Sequence, residues 1–190
     1  MTGQPGEVHH YEEVAAYVLD ESEERDLLSR QNECSFVWAT RDGWPVGVTM
    51  SYVWHDGRVW LTTSSQRKRV TAVRRDPRVS VIVSSAGTDL GPGKTVTLKG
   101  RCTVHDDDTV RAWFLPALAR AVFPDQPHRQ EKFVRLLDSP RRVVLEVVPE
   151  GRITHDVGKL GRAVRAARQA GAAAAQRDTT SAPAPEAGSA

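Results

Sequence analysis

Between residues 34 and 63 three runs, CSFVWATR, VGVTMSYVW and RVWLTT, alternate in polarity and are rich in β-branched and aromatic residues. Asp42-Gly43 and Asp56-Gly57 separate them. An Asp-Gly pair supplies the positive backbone angles of tight turns whose twist matches antiparallel strands. A stretch written this way predicts a three-strand meander. Pro45 stands at the entry of the second strand, where its missing donor disturbs the hydrogen-bond ladder least.

The flanking text extends the pattern. Asp20, with Glu23 three residues on, reads as a capping box for a helix whose apolar stripe includes Leu27 and Leu28 and which ends near Gln31 or Asn32. Before it, residues 1–19 form a polar arm in which Tyr11 to Leu19 are expected to make a short helix. QRKRVTAVRR follows the third strand as a short basic helix stopped by Asp76-Pro77. RVSVIVSS and KTVTLKGRCTV are a fourth and a fifth strand, the latter burying Val96, Leu98, Gly100 and Cys102 on one face. Asp106 to Asp108 offer caps for a helix through Val122 that Pro116 should kink or divide. HRQEKFVRLLD is another helix, and RRVVLEVV is the sixth strand.

Six antiparallel strands with few short helices predict a mainly β fold, a small closed or half-closed barrel, because closure removes exposed edges. Residues 158–177 read as a basic, alanine-rich helix, and TTSAPAPEAGSA lacks the apolar mass to fold. The expected organisation is therefore an arm over residues 1–19, a barrel domain over 20–159 and a tail over 160–190.

Charge is unevenly placed. Residues 157–190 carry Lys159, Arg162, Arg165, Arg168 and Arg177 against Asp178 and Glu186, a balance of +3 that leaves −1 on the rest of a chain whose net charge is +2. A nucleic-acid surface on the folded body is therefore not expected. The 190 residues hold no apolar run near the roughly 20 needed to span a membrane, and the polar start is unlike a secretory signal, so a cytoplasmic protein is expected. Cys34 and Cys102 cannot build a disulfide framework and read as buried thiols. The six histidines show no metal-ligand spacing.

TTSSQRKR, residues 62–69, places a hydroxyl-rich loop and three cations at the opening of a helix. Backbone donors, the positive end of the helix dipole and cationic side chains converge at such a point, which suits a phosphate. A solvated basic helix face is the alternative, and spacing alone favours it. GPGKT, residues 91–95, departs from a phosphate-binding P-loop because Thr88 stands where its first glycine belongs and a strand follows. No nucleophile elbow or hydrolase triad is present. An anion site without an acid, base or nucleophile is expected where a cofactor carries the chemistry.

The whole run from Cys34 to Ser85, with its Gly-x-Pro-Val-like strand entry, Thr-Thr strand end, Arg-Lys pair and Arg-Arg-Asp-Pro-Arg-Val-Ser segment, resembles the pyridoxamine 5′-phosphate oxidase-like family. The resemblance implies a six-stranded split barrel that binds FMN or the deazaflavin coenzyme F-420, works as a homodimer and moves a hydride to or from a small conjugated or heteroaromatic substrate. It assigns the cofactor phosphate to Thr62, Thr63, Ser65, Arg67, Lys68 and Arg69, with the Arg-Lys pair at Arg67-Lys68 or Lys68-Arg69, and the ring to Val48, Thr49 and Met50. Two departures stand out. The family's Arg-Leu-His-Asp-Arg substrate grip reads here Arg152-Ile153-Thr154-His155-Asp156 followed by Val157, and a cofactor-holding glutamine is replaced by Thr95. They turn the implication from vitamin-B6 oxidation toward the broader flavin or deazaflavin reductases. A non-catalytic flavin or haem carrier on the same barrel is the alternative function.

Overall fold

The computed structural model describes residues 14–180. Its strands are β1 (Glu33–Ala39), β2 (Pro45–His55), β3 (Arg58–Ser64), β4 (Arg78–Ser84), β5 (Lys94–His105) and β6 (Arg142–Asp156). They close into an antiparallel barrel in the order β1-β2-β3-β6-β5-β4. Both predicted Asp-Gly turns form, with positive φ at Gly43, Asp56 and Gly57. The hairpins account for β1-β2-β3 and β4-β5, whereas β1 against β4 and β3 against β6 close the cylinder. Each strand has a neighbour on both sides of the ring, although β2 and β3 pair over only part of their length.

The barrel interior is filled by Phe36, Tyr52, Leu61, Val81, Leu98 and Leu145, all buried, and burial of such side chains contributes roughly 1.5–3 kcal/mol each. Helix α1 (Glu21–Arg30) adds Leu27 and Leu28 to this core, and the Tyr52 hydroxyl donates to the Leu28 carbonyl at 2.8 Å. Its start is the predicted capping box, Asp20 accepting from the Ser22 and Glu23 amides while Glu23 accepts from the Asp20 amide. Helix α2 (Lys68–Arg75) follows β3 and ends at Asp76, before Pro77. Helices α3 (Asp108–Val122) and α4 (Pro127–Leu137) cover the outside of β3 and β6, where Trp60, Phe114, Leu115, Leu118 and Val144 form a second core.

Three expectations change. The arm shows only a 3-10 turn at Val14–Tyr17, the earlier residues of the expected helix lying outside the described part. Helix α3 runs undivided through Pro116, because Phe114, Leu115, Leu118 and Ala119 bury on either side of it and hold the turn together. The sixth strand continues past RRVVLEVV to Asp156. A register shift between Lys99 and Gly100 lets the ladder pass Pro149, and only glycine fits there, since a Cβ on Gly100 would stand 2.3 Å from the Val148 carbonyl oxygen. Helix α5 (Val157–Thr180) leaves β6 directly, its first amides at Gly158 and Lys159 capped by the buried Asp156 carboxylate. No described helix is long and apolar enough to cross a membrane.

Candidate functional site

The barrel forks between β2 and β3. These strands pair only from Tyr52–Leu61 to His55–Arg58. Below that point β2 pairs with β1 alone, from Pro45 to Ser51, and Thr62 to Ser64 of β3 pair with β6 alone. The gap is a cleft of about 410 Å³ lined by Thr49, Met50 and Ser51 on one branch and Thr62, Thr63 and Ser64 on the other. Leu118, Phe133 and Leu137 from α3 and α4 wall one side. Helix α2 opens at its mouth. Its N-cap residue, Arg67, makes no side-chain cap; the Val70 amide donates to the Arg67 carbonyl at 2.9 Å, which leaves the Lys68 and Arg69 amides and the positive end of the helix dipole to an anion.

Three guanidiniums, from Arg67, Arg69 and Arg142, line this cleft, and none of its lining residues is acidic. Arg69 is the most constrained. One of its terminal nitrogens donates to the Thr63 hydroxyl at 2.8 Å, and its guanidinium carbon lies 5.7 Å from the centre of the Trp38 ring. Its Nε is buried without a hydrogen-bond partner. Burial, and then the neighbouring charge of Arg67, pull its pKa below the usual arginine value. Among the described residues no carboxylate pairs with Arg67, Lys68 or Arg69. A cation held partly out of water without a counter-charge is unfavourable by itself and is relieved by an incoming anion.

Six of the nine sequence-assigned residues, Thr49, Met50, Thr62, Thr63, Arg67 and Arg69, meet around the cleft. Val48, Ser65 and Lys68 are chain neighbours of lining residues and do not line it themselves. Val48 pairs with Phe36 across the ladder and so shares its inward direction, and the Ser65 amide is spent on the Arg141 carbonyl at 2.7 Å. Neither register expected for the cation pair, Arg67-Lys68 or Lys68-Arg69, describes the lining: Arg67 and Arg69 line the cleft and Lys68 does not. Ser51, Ser64, Arg142 and the apolar wall were not read from the sequence. Arg142 reaches the site only because β6 pairs with β3, which sets it opposite Ser64; nothing local announces that pairing.

Other candidates fare less well. A cavity of about 540 Å³ opens on the far side of β1, lined by Trp38, Arg78, Lys99 and Glu150 among others, but Asp76 holds Arg78 and Arg101 holds Glu150. Although larger, it offers an anion less uncompensated charge. His105 lies 2.7 Å from Glu146, which also pairs with Arg58, under α3. Burial alone would raise the Glu146 carboxyl; the Arg58 and His105 contacts outweigh it and hold the group below its usual value. Among the described residues no cluster of histidine, cysteine and carboxylates could hold a metal. The two thiols are buried, which pushes each up to about 12.

The family model for pyridoxamine 5′-phosphate oxidase matches residues 21–155. The chain belongs to this family. No curated protein matches it. Among solved structures, a conserved hypothetical protein from Mycobacterium tuberculosis superposes with a TM-score of 0.66 at 22% identity, over 77% of this chain and 91% of that one. An F-420 reductase gives 0.54 at 20% identity, over 71% and 98%, and an FAD-binding protein from Mesorhizobium loti gives 0.53 at 22% identity, over 72% and 93%. At these identities the likeness is one of fold. Within the family frame, the segment that stands for the substrate grip has other duties here. Arg152 pairs with Glu24, the Thr154 hydroxyl accepts from the Leu19 amide, and Asp156 caps α5. Thr95 pairs with Ser84 and His155, at the opposite end of β6 from Arg142 and the cleft.

Proposed function

We propose that this protein is an oxidoreductase that uses FMN or the deazaflavin coenzyme F-420 and acts on a small conjugated or heteroaromatic substrate. The observation that carries the reading is Arg69, a partly buried guanidinium with an orphaned Nε in a cleft without carboxylates. The donor set fits a phosphate ester: Arg67 and Arg69 supply charge, Thr63 is held by Arg69, and the α2 amides supply backbone donors. Thr49, Met50 and Ser51 on the unpaired branch of β2, facing Leu118, Phe133 and Leu137, suit a planar ring with one polar edge. When bound, such a cofactor supplies the hydride chemistry. The protein binds and orients it, and the apolar wall from α3 and α4 keeps water from one side. The departures at Arg152 to Val157 and at Thr95 disfavour vitamin-B6 oxidation.

The same reading includes a homodimer. A register row Thr49–Ser35–Ile82–Thr97–Ile153 crosses the outer faces of β2, β1, β4, β5 and β6 with no charged side chain. Ile82 and Ile153 are 38% and 62% exposed on it. The row begins at Thr49, which lines the cleft, so a second copy on this face would also complete the site. Titrating the protein with FMN and with the deazaflavin, followed by fluorescence, tests the cofactor reading, and substrate-dependent reoxidation of the reduced cofactor tests the activity. Binding of neither cofactor refutes the proposal. Ile153→Arg is expected to shift the protein to monomer in light scattering and to weaken cofactor binding.

A further inference from the structure

Arg142 opens β6 and stands opposite Ser64 of β3. Its Nε donates at 2.9 Å to the Leu137 carbonyl in the last turn of α4, which fixes the guanidinium plane. Its own carbonyl accepts from Arg111 at 3.1 Å. Burial lowers its pKa, and among the described residues no carboxylate answers its charge. Capping a helix carbonyl needs only one neutral donor. A partly buried charge spends more than that role requires, and four of the five guanidinium donors have no protein partner among the described residues.

We infer that Arg142 is a second, separately mounted anion-binding residue of the cleft, gripping from β6 the ligand that Arg67 and Arg69 grip from α2. Three guanidiniums without a carboxylate in about 410 Å³ match a ligand carrying at least two negative charges. The shared chemistry is a polyanionic phosphate ester: a terminal phosphate dianion, or a phosphodiester followed by an acidic chain. The inference rests on reading the cleft as a phosphate-ester site and adds the residue and the charge that the ligand needs.

The test compares the full-length protein with Arg142→Gln and Arg142→Lys. Fluorescence titrations use FMN, riboflavin and the deazaflavin with its acidic tail, and thermal shifts use inorganic pyrophosphate. Arg142→Gln is expected to weaken FMN, the deazaflavin or both on the order of tenfold, to leave riboflavin unchanged, and to be partly rescued by Arg142→Lys. Loss with FMN places the contact at a terminal phosphate, and loss with the deazaflavin alone places it at the tail. Both affinities within twofold of wild type overturn the inference, as does an equal loss for riboflavin, which would mark a structural role. If wild type binds no flavin or deazaflavin, the cofactor reading fails, and pyrophosphate decides for Arg142. A thermal shift in wild type that Arg142→Gln abolishes supports it; an equal shift in both, or none in wild type, overturns it.

Discussion

Replacing Arg69 by methionine separates a binding residue from a structural one. In the free protein the change removes a charged hydrogen bond to Thr63, about 1.5–3 kcal/mol, and a ring contact with Trp38, about 0.5–1 kcal/mol. It also relieves an orphaned buried donor, about 1–3 kcal/mol, and the repulsion from Arg67. Methionine keeps the apolar stem packed. The opposing changes are of similar size, so the ligand-free stability should move by no more than about 1 kcal/mol, a few degrees in Tm for a chain of this length. Binding has no such offset. Losing one charge-assisted contact to a phosphate costs about 1.5–3 kcal/mol, a drop in affinity on the order of 10- to 150-fold. Urea denaturation of the ligand-free variant and fluorescence titration with FMN and the deazaflavin give the two numbers. A stability loss above about 2 kcal/mol with unchanged affinity would refute the reasoning and make Arg69 part of the scaffold.

Further outcomes follow from the scaffold itself. Gly100→Ala drives a Cβ into the Val148 carbonyl at the β5–β6 bulge and should cost about 1–3 kcal/mol in chemical denaturation, whereas Gly47→Ala, whose tightest neighbour is a Val37 methyl at 3.2 Å, should cost less. Glu146 has a folded pKa below its ordinary 4.5, so its contribution is complete above that value and is lost as the pH falls through the lower folded one. Glu146→Gln should therefore flatten the acid limb of Tm against pH; an unchanged limb would show that Arg58 and His105 do not stabilise the carboxylate. Cys34 and Cys102, buried and pushed up to about 12, should resist a thiol reagent at mildly alkaline pH until the protein is denatured, and labelling of the native protein would contradict their burial.

Much of the site was legible because its α2 half is local. Thr62, Thr63, Arg67 and Arg69 lie within eight consecutive positions, and a strand end followed by a helix start forces their backbone donors and charges together. The choice between Arg67-Lys68 and Lys68-Arg69 was not legible, since which cations turn inward depends on the exact first residue of the helix. Of the other half, Thr49 and Met50 came only through the family resemblance, and the rest was invisible. Thr49 to Ser51 reach the site through the fork, and Leu118, Phe133, Leu137 and Arg142 come from α3, α4 and β6, far from α2 in sequence.

The sequence by itself determined the elements and their hairpins, because polarity alternation, Asp-Gly turns and the Asp20 cap act over a few residues, where the chain has little freedom to do otherwise. The tertiary structure alone decided closure. Pairing β3 with β6 joins segments some 80 residues apart, and neither strand carries a local mark of its partner, since either could have paired with any edge of the right pattern. That closure buries the apolar faces of all six strands at once and gives each strand two neighbours. It also pulls β3 away from β2, and the gap it opens is the cleft where three uncompensated guanidiniums meet.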